Sequence, residues 1–140
     1  MNKVKAILHN KCLLSVIKKD NKILATQRGY GEFKGGWEFP GGKVEKGESN
    51  EEALIREIKE ELETEIVVIE HFDYVQYNYP TFHLSMHCYL CKVKSGELIL
   101  KEHQAARWLT KDTIFDVEWL PADYDTVKKL QEYLSEKSHV

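Results

Sequence analysis

The stretch GGKVEKGESNEEALIREIKEELET, residues 41–64, decides how this chain folds. Ser49-Asn50-Glu51-Glu52 within it is a capping box: the serine hydroxyl can accept from the backbone N–H of Glu52, and the Glu52 carboxylate can reach back to the N–H of Ser49. Two backbone donors left open at a helix start are satisfied that way, so the pattern predicts a helix from Asn50 to about Leu62. At about 100° per residue, Leu54, Ile55, Ile58 and Leu62 fall on one apolar stripe. Glu57, Glu60 and Glu61 fall on the adjoining one.

Carboxylates three and four residues apart on a helix repel one another, so Glu57, Glu60 and Glu61 cost helix stability unless something positive sits among them. The common fate of a Glu-rich helix is a solvated acidic face. Three features argue for chemistry here: the carboxylates border the apolar stripe instead of opposing it, Arg56 directly precedes Glu57, and a glycine-rich loop enters just before the helix. Oxygen donors so arranged suit a hard divalent cation that retains water, Mg2+ above all.

Upstream, GYGEFKGGWEFPGG (Gly29 to Gly42) holds six of the chain's eight glycines, the composition of an irregular loop closing against Trp37 and Phe39. Such a loop can cradle phosphate, although a plain connection between strands is the commoner use. Val4 to Leu8, Cys12 to Ile17 and Ile23 to Thr26 are apolar runs, the last two separated by turn-forming Lys18-Lys19-Asp20-Asn21; they predict an edge strand and a hairpin. Downstream, Ile66 to Ile69, Phe72 to Tyr77 and Phe82 to Val93 read as strands, the last with burial on both faces. Ala105 to Leu109 is a further short strand. Tyr124, Val127, Leu130 and Leu134, following Pro121, have helical spacing. No repeat, low-complexity tract or linker intervenes. The expectation is a single domain over residues 1–140 of the α/β (α+β) class, a mixed β-sheet sandwiched between helices.

The chain of 140 residues is 42% hydrophobic, enough for one core. With 20 basic and 23 acidic residues the formal net charge is −3, so no broad positive field exists for a nucleic-acid backbone, and an RNA-end hydrolase with a basic groove is not expected. Cys12, Cys88 and Cys91 make an odd set, which fits a reducing cytoplasm better than a disulfide framework. Cys88 and Cys91 have the spacing of a zinc half-site, but they lie in a strand pattern and lack a second cysteine pair; they read as packing residues. The apolar run Cys12 to Ile17 is too short for a signal peptide or a membrane span.

Gly42, Glu48 and Arg56-Glu57-Ile58-Lys59-Glu60-Glu61 stand at the offsets of G-x5-E-x7-R-E-U-x-E-E-x-G-U, where U is a bulky apolar residue. The chain therefore resembles the Nudix hydrolases, and WEFPGG (Trp37 to Gly42) adds to the likeness. Every charged position of the box is filled. Glu63 and Thr64 depart from its final glycine and apolar residue, which touches the helix end and no metal position. Over most of its length the chain is similar to the MutT-like branch, which includes 8-oxo-dGTP diphosphatases and CTP pyrophosphohydrolases.

The resemblance implies a Nudix fold and Mg2+, for which Mn2+ can substitute, held by Glu57, Glu60, Glu61 and the carbonyl of Gly41, with Arg56 and Glu48 fixing the ligand carboxylates. It implies catalytic roles for Glu57, Glu60, Arg56 and Glu102, with Glu57 and Glu102 ranked jointly as proton acceptor. It places Arg28 on phosphate, Asp123 on the base and Phe82 among the substrate contacts. Simpler roles exist for each: Arg28 as a surface charge, Glu102 as a loop residue, Asp123 as a helix cap. The implied reaction converts a nucleoside triphosphate to monophosphate and pyrophosphate and so sanitises the nucleotide pool. ADP-ribose or nucleotide-sugar hydrolysis ranks second, and a non-catalytic nucleotide-binding module third. A small-molecule nucleotide is the expected partner, without nucleic acid or membrane, for a monomer or homodimer.

Overall fold

The computed structural model describes residues 8–29, 31, 33–101 and 103–137. The capping box forms as the residues dictate: Ser49 Oγ accepts from the Glu52 N–H at 3.1 Å, and Glu52 Oε1 accepts from the Ser49 N–H at 2.9 Å. It opens α1, Asn50–Leu62. The helix ends on Glu63 in the left-handed region (φ 52), whose N–H donates to the Lys59 carbonyl. A residue with a side chain thus stands where a glycine would be free of strain. The buried face of α1 differs from the stripe read in the sequence. Ile55 is exposed and Glu61 is buried, because the face against the sheet centres on Ala53, Leu54, Ile58 and Leu62, about 100° away from Ile55.

Seven strands form one mixed sheet among the described residues. They are β1 (Leu8–Lys19), β2 (Lys22–Arg28), β3 (Trp37–Glu38), β4 (Gly41–Gly42), β5 (Glu65–Tyr79), β6 (Phe82–Ser95) and β7 (His103–Leu109). The order is β3-β2-β1-β6-β5, with β4 paired to β1 and β7 to β2; only β1 and β6 run parallel. The expected hairpin is β1–β2, turning at Asp20 in a left-handed conformation (φ 57). The expected edge strand, Val4 to Leu8, lies outside the described residues except for Leu8, where β1 begins. The two strands read over Ile66–Ile69 and Phe72–Tyr77 are one, β5. Three register shifts against β6 break the period-two pattern, so the sequence looks like two short runs.

Alternation along β1 and β6 sends side chains to both faces of the sheet. Val16, Met86, Cys88 and Leu90 pack with Val127, Leu130 and Leu134 of α2 (Tyr124–Lys137). Ile17, Leu24 and Cys91 pack with Ile58 and Leu62 of α1 on the other face. The sheet lies between the two helices, as the sequence implies. Cys88 and Cys91 are fully buried, and burial drives both thiols up, that of Cys91 to about 12; they serve as packing residues. Asp73 of β5 ties α2 to the sheet by accepting from Thr126 Oγ1 at 2.7 Å and Lys129 Nζ at 2.8 Å.

Candidate active site

Backbone approach shapes the site before any side chain does. Gly41 and Gly42 pair as β4 with Leu14 and Leu13 of β1, and the chain passes so close to α1 that a Cβ on Gly42 would overlap the Glu57 carboxylate. One on Gly41 would strike the Leu13 carbonyl. Only glycine fits at either position. The result is a cavity of about 520 Å3 with Gly41, Gly42, Glu57 and Glu61 at its wall.

The positive charge that the acidic edge of α1 requires is supplied from within the helix. Arg56 donates from Nε to Glu48 Oε2 at 2.6 Å and from Nη2 to Glu48 Oε1 at 3.0 Å, a bidentate pair. Its Nη1 donates to Glu57 Oε1 at 2.6 Å and to Glu60 Oε1 at 3.2 Å, and Nη2 also reaches the Lys43 carbonyl at 3.0 Å. One planar group therefore fixes three box carboxylates and the loop ahead of the helix. The Arg56 hydrogen bonds hold the Glu48 carboxyl below its ordinary range, and the carboxylates of Glu48 and Glu57 raise the Arg56 pKa.

The chemistry of these donors matches a hard cation. Glu57 and Glu61 are carboxylates on the cavity wall beside Gly41, and Mg2+ is commonly held by one or two protein carboxylates, with water and substrate phosphate completing its shell. Glu60 stands apart: its side chain is 58% exposed, pairs with Arg56 and does not line the cavity. Among the described residues no three His, Cys, Asp or Glu side chains converge as a ready-made cage.

The far end of the cavity carries a different set. Arg28, ending β2, donates from Nε to Glu38 Oε2 at 3.3 Å. Burial pushes the Glu38 carboxyl up, against the pull of Arg28. Asp123 closes the 3-10 turn Pro121–Asp123 ahead of α2, and that turn is pinned by Leu120 N–H to the Trp37 carbonyl at 2.9 Å and by Ala122 N–H to Tyr79 Oη at 3.2 Å. The Asp123 carboxyl is buried, and its Oδ2 has no hydrogen-bond partner among the described residues. Burial, helped by the negative charge of Glu38, raises its pKa to about 8. It is therefore a neutral acid at pH 7, able both to donate and to accept.

Glu57, Glu61, Gly41, Arg28, Asp123 and Phe82 thus share one cavity wall, with Glu48 and Arg56 directly behind Glu57. Glu102 lies outside the described residues. Asp123 Oδ2 makes no hydrogen bond to the start of α2 or to any other described residue. Sequence reading missed two residues. Glu38 sits inside the WEFPGG stretch, where glycine spacing drew attention away from the one charged side chain. His103 follows Glu102 and is nearly buried on the cavity wall, its Nε2 3.8 Å from Glu61 Oε1. Burial, with Arg28 nearby, keeps its pKa below the ordinary value, so this contact joins a neutral imidazole to a carboxylate and is not an ion pair.

A sheet between helices, an acidic helix held by its own arginine and glycines pressed against a carboxylate are the arrangement that the box resemblance implies. The chain belongs to the Nudix family: the NUDIX domain model matches residues 11–130. Within that family it is similar to the CTP pyrophosphohydrolase of Escherichia coli, 36% identical over 110 residues that span 78% of this chain and 82% of that protein. It is similar also to the 8-oxo-dGTP diphosphatase of Haemophilus influenzae, 34% identical over 110 residues, 78% of this chain and 81% of the other. The solution structure of the E. coli ORF135 protein superposes with a TM-score of 0.73 at 32% identity, covering 91% of each chain.

Proposed function

We propose that this enzyme hydrolyses a free nucleoside triphosphate to the monophosphate and pyrophosphate, with 8-oxo-dGTP and CTP the two substrates its site chemistry suits. The observation that carries this reading is one cavity lined both by the α1 carboxylates Glu57 and Glu61 and by the buried Asp123 carboxyl, whose Oδ2 has no hydrogen-bond partner among the described residues. A triphosphate group and a base edge can be held at once there. Glu57 and Glu61, with the carbonyl of Gly41, would hold Mg2+ at the cavity wall, Glu60 joining them only by turning away from Arg56, and bound Mg2+ would supply charge neutralisation on the phosphoanhydride oxygens and a more acidic water. Arg56 keeps the Glu57 carboxylate in one orientation, and Arg28 offers its guanidinium to phosphate. Glu57 or Glu102 takes the proton of the attacking water. A neutral Asp123 carboxyl pairs with an adjacent donor and acceptor: N7–H and O6 of 8-oxoguanine, or the amine and N3 of cytosine. A buried polar pair of this kind discriminates by roughly 1–3 kcal/mol against a base that leaves it unmet.

The biological role we assign is sanitation of the nucleotide pool, protecting DNA from damaged precursors, in the cytoplasm. Three free cysteines suit a reducing compartment, and no helix among the described residues is long and apolar enough to cross a membrane. The test is turnover with Mg2+ against canonical and oxidised (d)NTPs, CTP and ADP-ribose, with products separated by chromatography. Monophosphate and pyrophosphate are expected. Orthophosphate and diphosphate as first products, or a preference for ADP-ribose, would overturn the reading.

A further inference from the structure

The loop between β2 and β3 contains one residue whose backbone conformation suits glycine better. Gly31 (φ 73) and Gly35 (φ 90) take left-handed turns, and a Cβ at either would meet open space. Phe33 takes the same conformation, φ 69, with a bulky side chain. A side chain persists in that region when its surroundings hold it there, and such positions concentrate at ligand sites. The loop uses glycine freely, so phenylalanine at this point needs a reason of its own.

The ring supplies one. Phe33 lines the cavity, and its ring centre lies 5.0 Å from that of Tyr79, which stacks in turn on Phe82 at 4.9 Å and 26°. The series is braced at Phe33 and at Tyr79. The Phe33 carbonyl accepts from the Gly36 N–H at 2.9 Å, and a Cβ on Gly36 would overlap Leu120, so the loop packs directly on the segment leading to Asp123. The Tyr79 hydroxyl accepts from the N–H of Ala122, the residue before Asp123. Aromatic rings and the unsatisfied carboxyl therefore meet at the same corner of the cavity.

We propose that Phe33 is a specificity-determining residue: its ring, backed by Tyr79, stacks on the face of the nucleobase and selects a purine. This rests on the triphosphate reading above and chooses between the two bases that Asp123 alone accommodates. Stacking grows with the face overlapped, and the larger bicyclic face of a purine covers the Phe33 ring more fully than a pyrimidine does, while Tyr79, tilted by 43° behind it, holds that ring in place. Phe33 is the end of the ring series, so the base joins as its next member.

Steady-state kinetics of the full chain with Mg2+ on 8-oxo-dGTP, dGTP and CTP test this, with melting temperature alongside, for Phe33→Gly, Phe33→Leu and Phe33→Tyr. The Gly variant relaxes the left-handed backbone but gives up the contact with Tyr79, so it should melt within a few degrees of the native enzyme. Its KM for both purine nucleotides should rise roughly tenfold or more while kcat stays within about twofold, and KM for CTP should rise less. Leu should show the same loss with the strain retained, and Tyr should restore the native KM. The inference is overturned by purine KM values indifferent to residue 33, by equal losses on CTP and purines, or by a Gly variant that loses stability and kcat with KM unchanged. A native enzyme without triphosphate turnover overturns the functional reading and this inference together, whereas turnover with KM blind to residue 33 overturns this inference alone.

Discussion

Asp123→Asn separates a buried neutral acid from an ordinary structural residue, because asparagine keeps the shape and has no proton to lose. The native carboxyl goes from an ordinary 3.8 to about 8 on folding. Above pH 3.8 the unfolded chain releases this proton while the folded chain keeps it. The unfolded state then binds fewer protons, and stability falls as pH rises, by roughly 1.4 kcal/mol per pH unit, until the folded group titrates near 8. The contribution is complete below 3.8 and lost above 8. The amide in the variant cannot titrate, so between pH 5 and pH 7 the variant should gain about 3 kcal/mol on the native chain. Urea denaturation at pH 5, 6, 7 and 8 in both proteins measures the difference between slopes. At pH 7 the amide also offers two donors where the acid offered one, and base preference, read as ratios of kcat/KM among 8-oxo-dGTP, dGTP and CTP, should shift by about one to two powers of ten. Parallel stability curves would refute the neutral acid. Unchanged ratios would place base selection elsewhere.

Glu57→Gln and Glu60→Gln should each lower turnover by orders of magnitude and leave the fold intact, as circular dichroism and melting temperature would reveal; a collapsed apo fold would make these residues structural. Mg2+ or Mn2+ should raise the melting temperature in a concentration-dependent way, since a ligand of the native state stabilises by mass action, and EDTA should abolish turnover. Full activity in chelator would end the assignment of Mg2+. Glu63→Gly relieves a left-handed residue at the cost of a half-exposed pair with Lys101, so it should stabilise by roughly 0.5–1 kcal/mol, a few degrees in melting temperature; a drop would show that the pair outweighs the strain.

Local rules made α1 legible. Its capping box, its length and its charged edge follow from residues within one turn of each other, and the structure reproduces the span Asn50–Leu62. The charge that Glu57, Glu60 and Glu61 demand was also foreseeable, and the resemblance pointed to Arg56 as the residue that fixes these carboxylates; in the structure it bonds Glu57 and Glu60 from the same helix. What stayed hidden depends on contacts distant in sequence. Burial of Glu61 and exposure of Ile55 depend on how α1 rotates against the sheet, and β5 runs unbroken because β6 absorbs its bulges. The placing of Asp123 depends on partners distant in the chain: Leu120 donates to the Trp37 carbonyl, Ala122 donates to Tyr79 Oη, and the Phe39 backbone N–H donates to the Asp123 carboxyl. Glu38 and His103 carried no periodicity to announce them; only the cavity joins them to the site.

The three register shifts along β5 also bear on how the molecule behaves in company. This strand is the outer member of the sheet among the described residues, fifteen residues long, with Val67 and Ile69 exposed upon it. A straight edge of that length would offer every neighbouring molecule a row of evenly spaced amide groups, an invitation to cross-β stacking. Each bulge breaks the spacing and turns the strand, so an incoming chain can match only a few residues before its register fails. The irregularity that obscured β5 in the sequence also limits how far a second chain could extend the sheet at this edge.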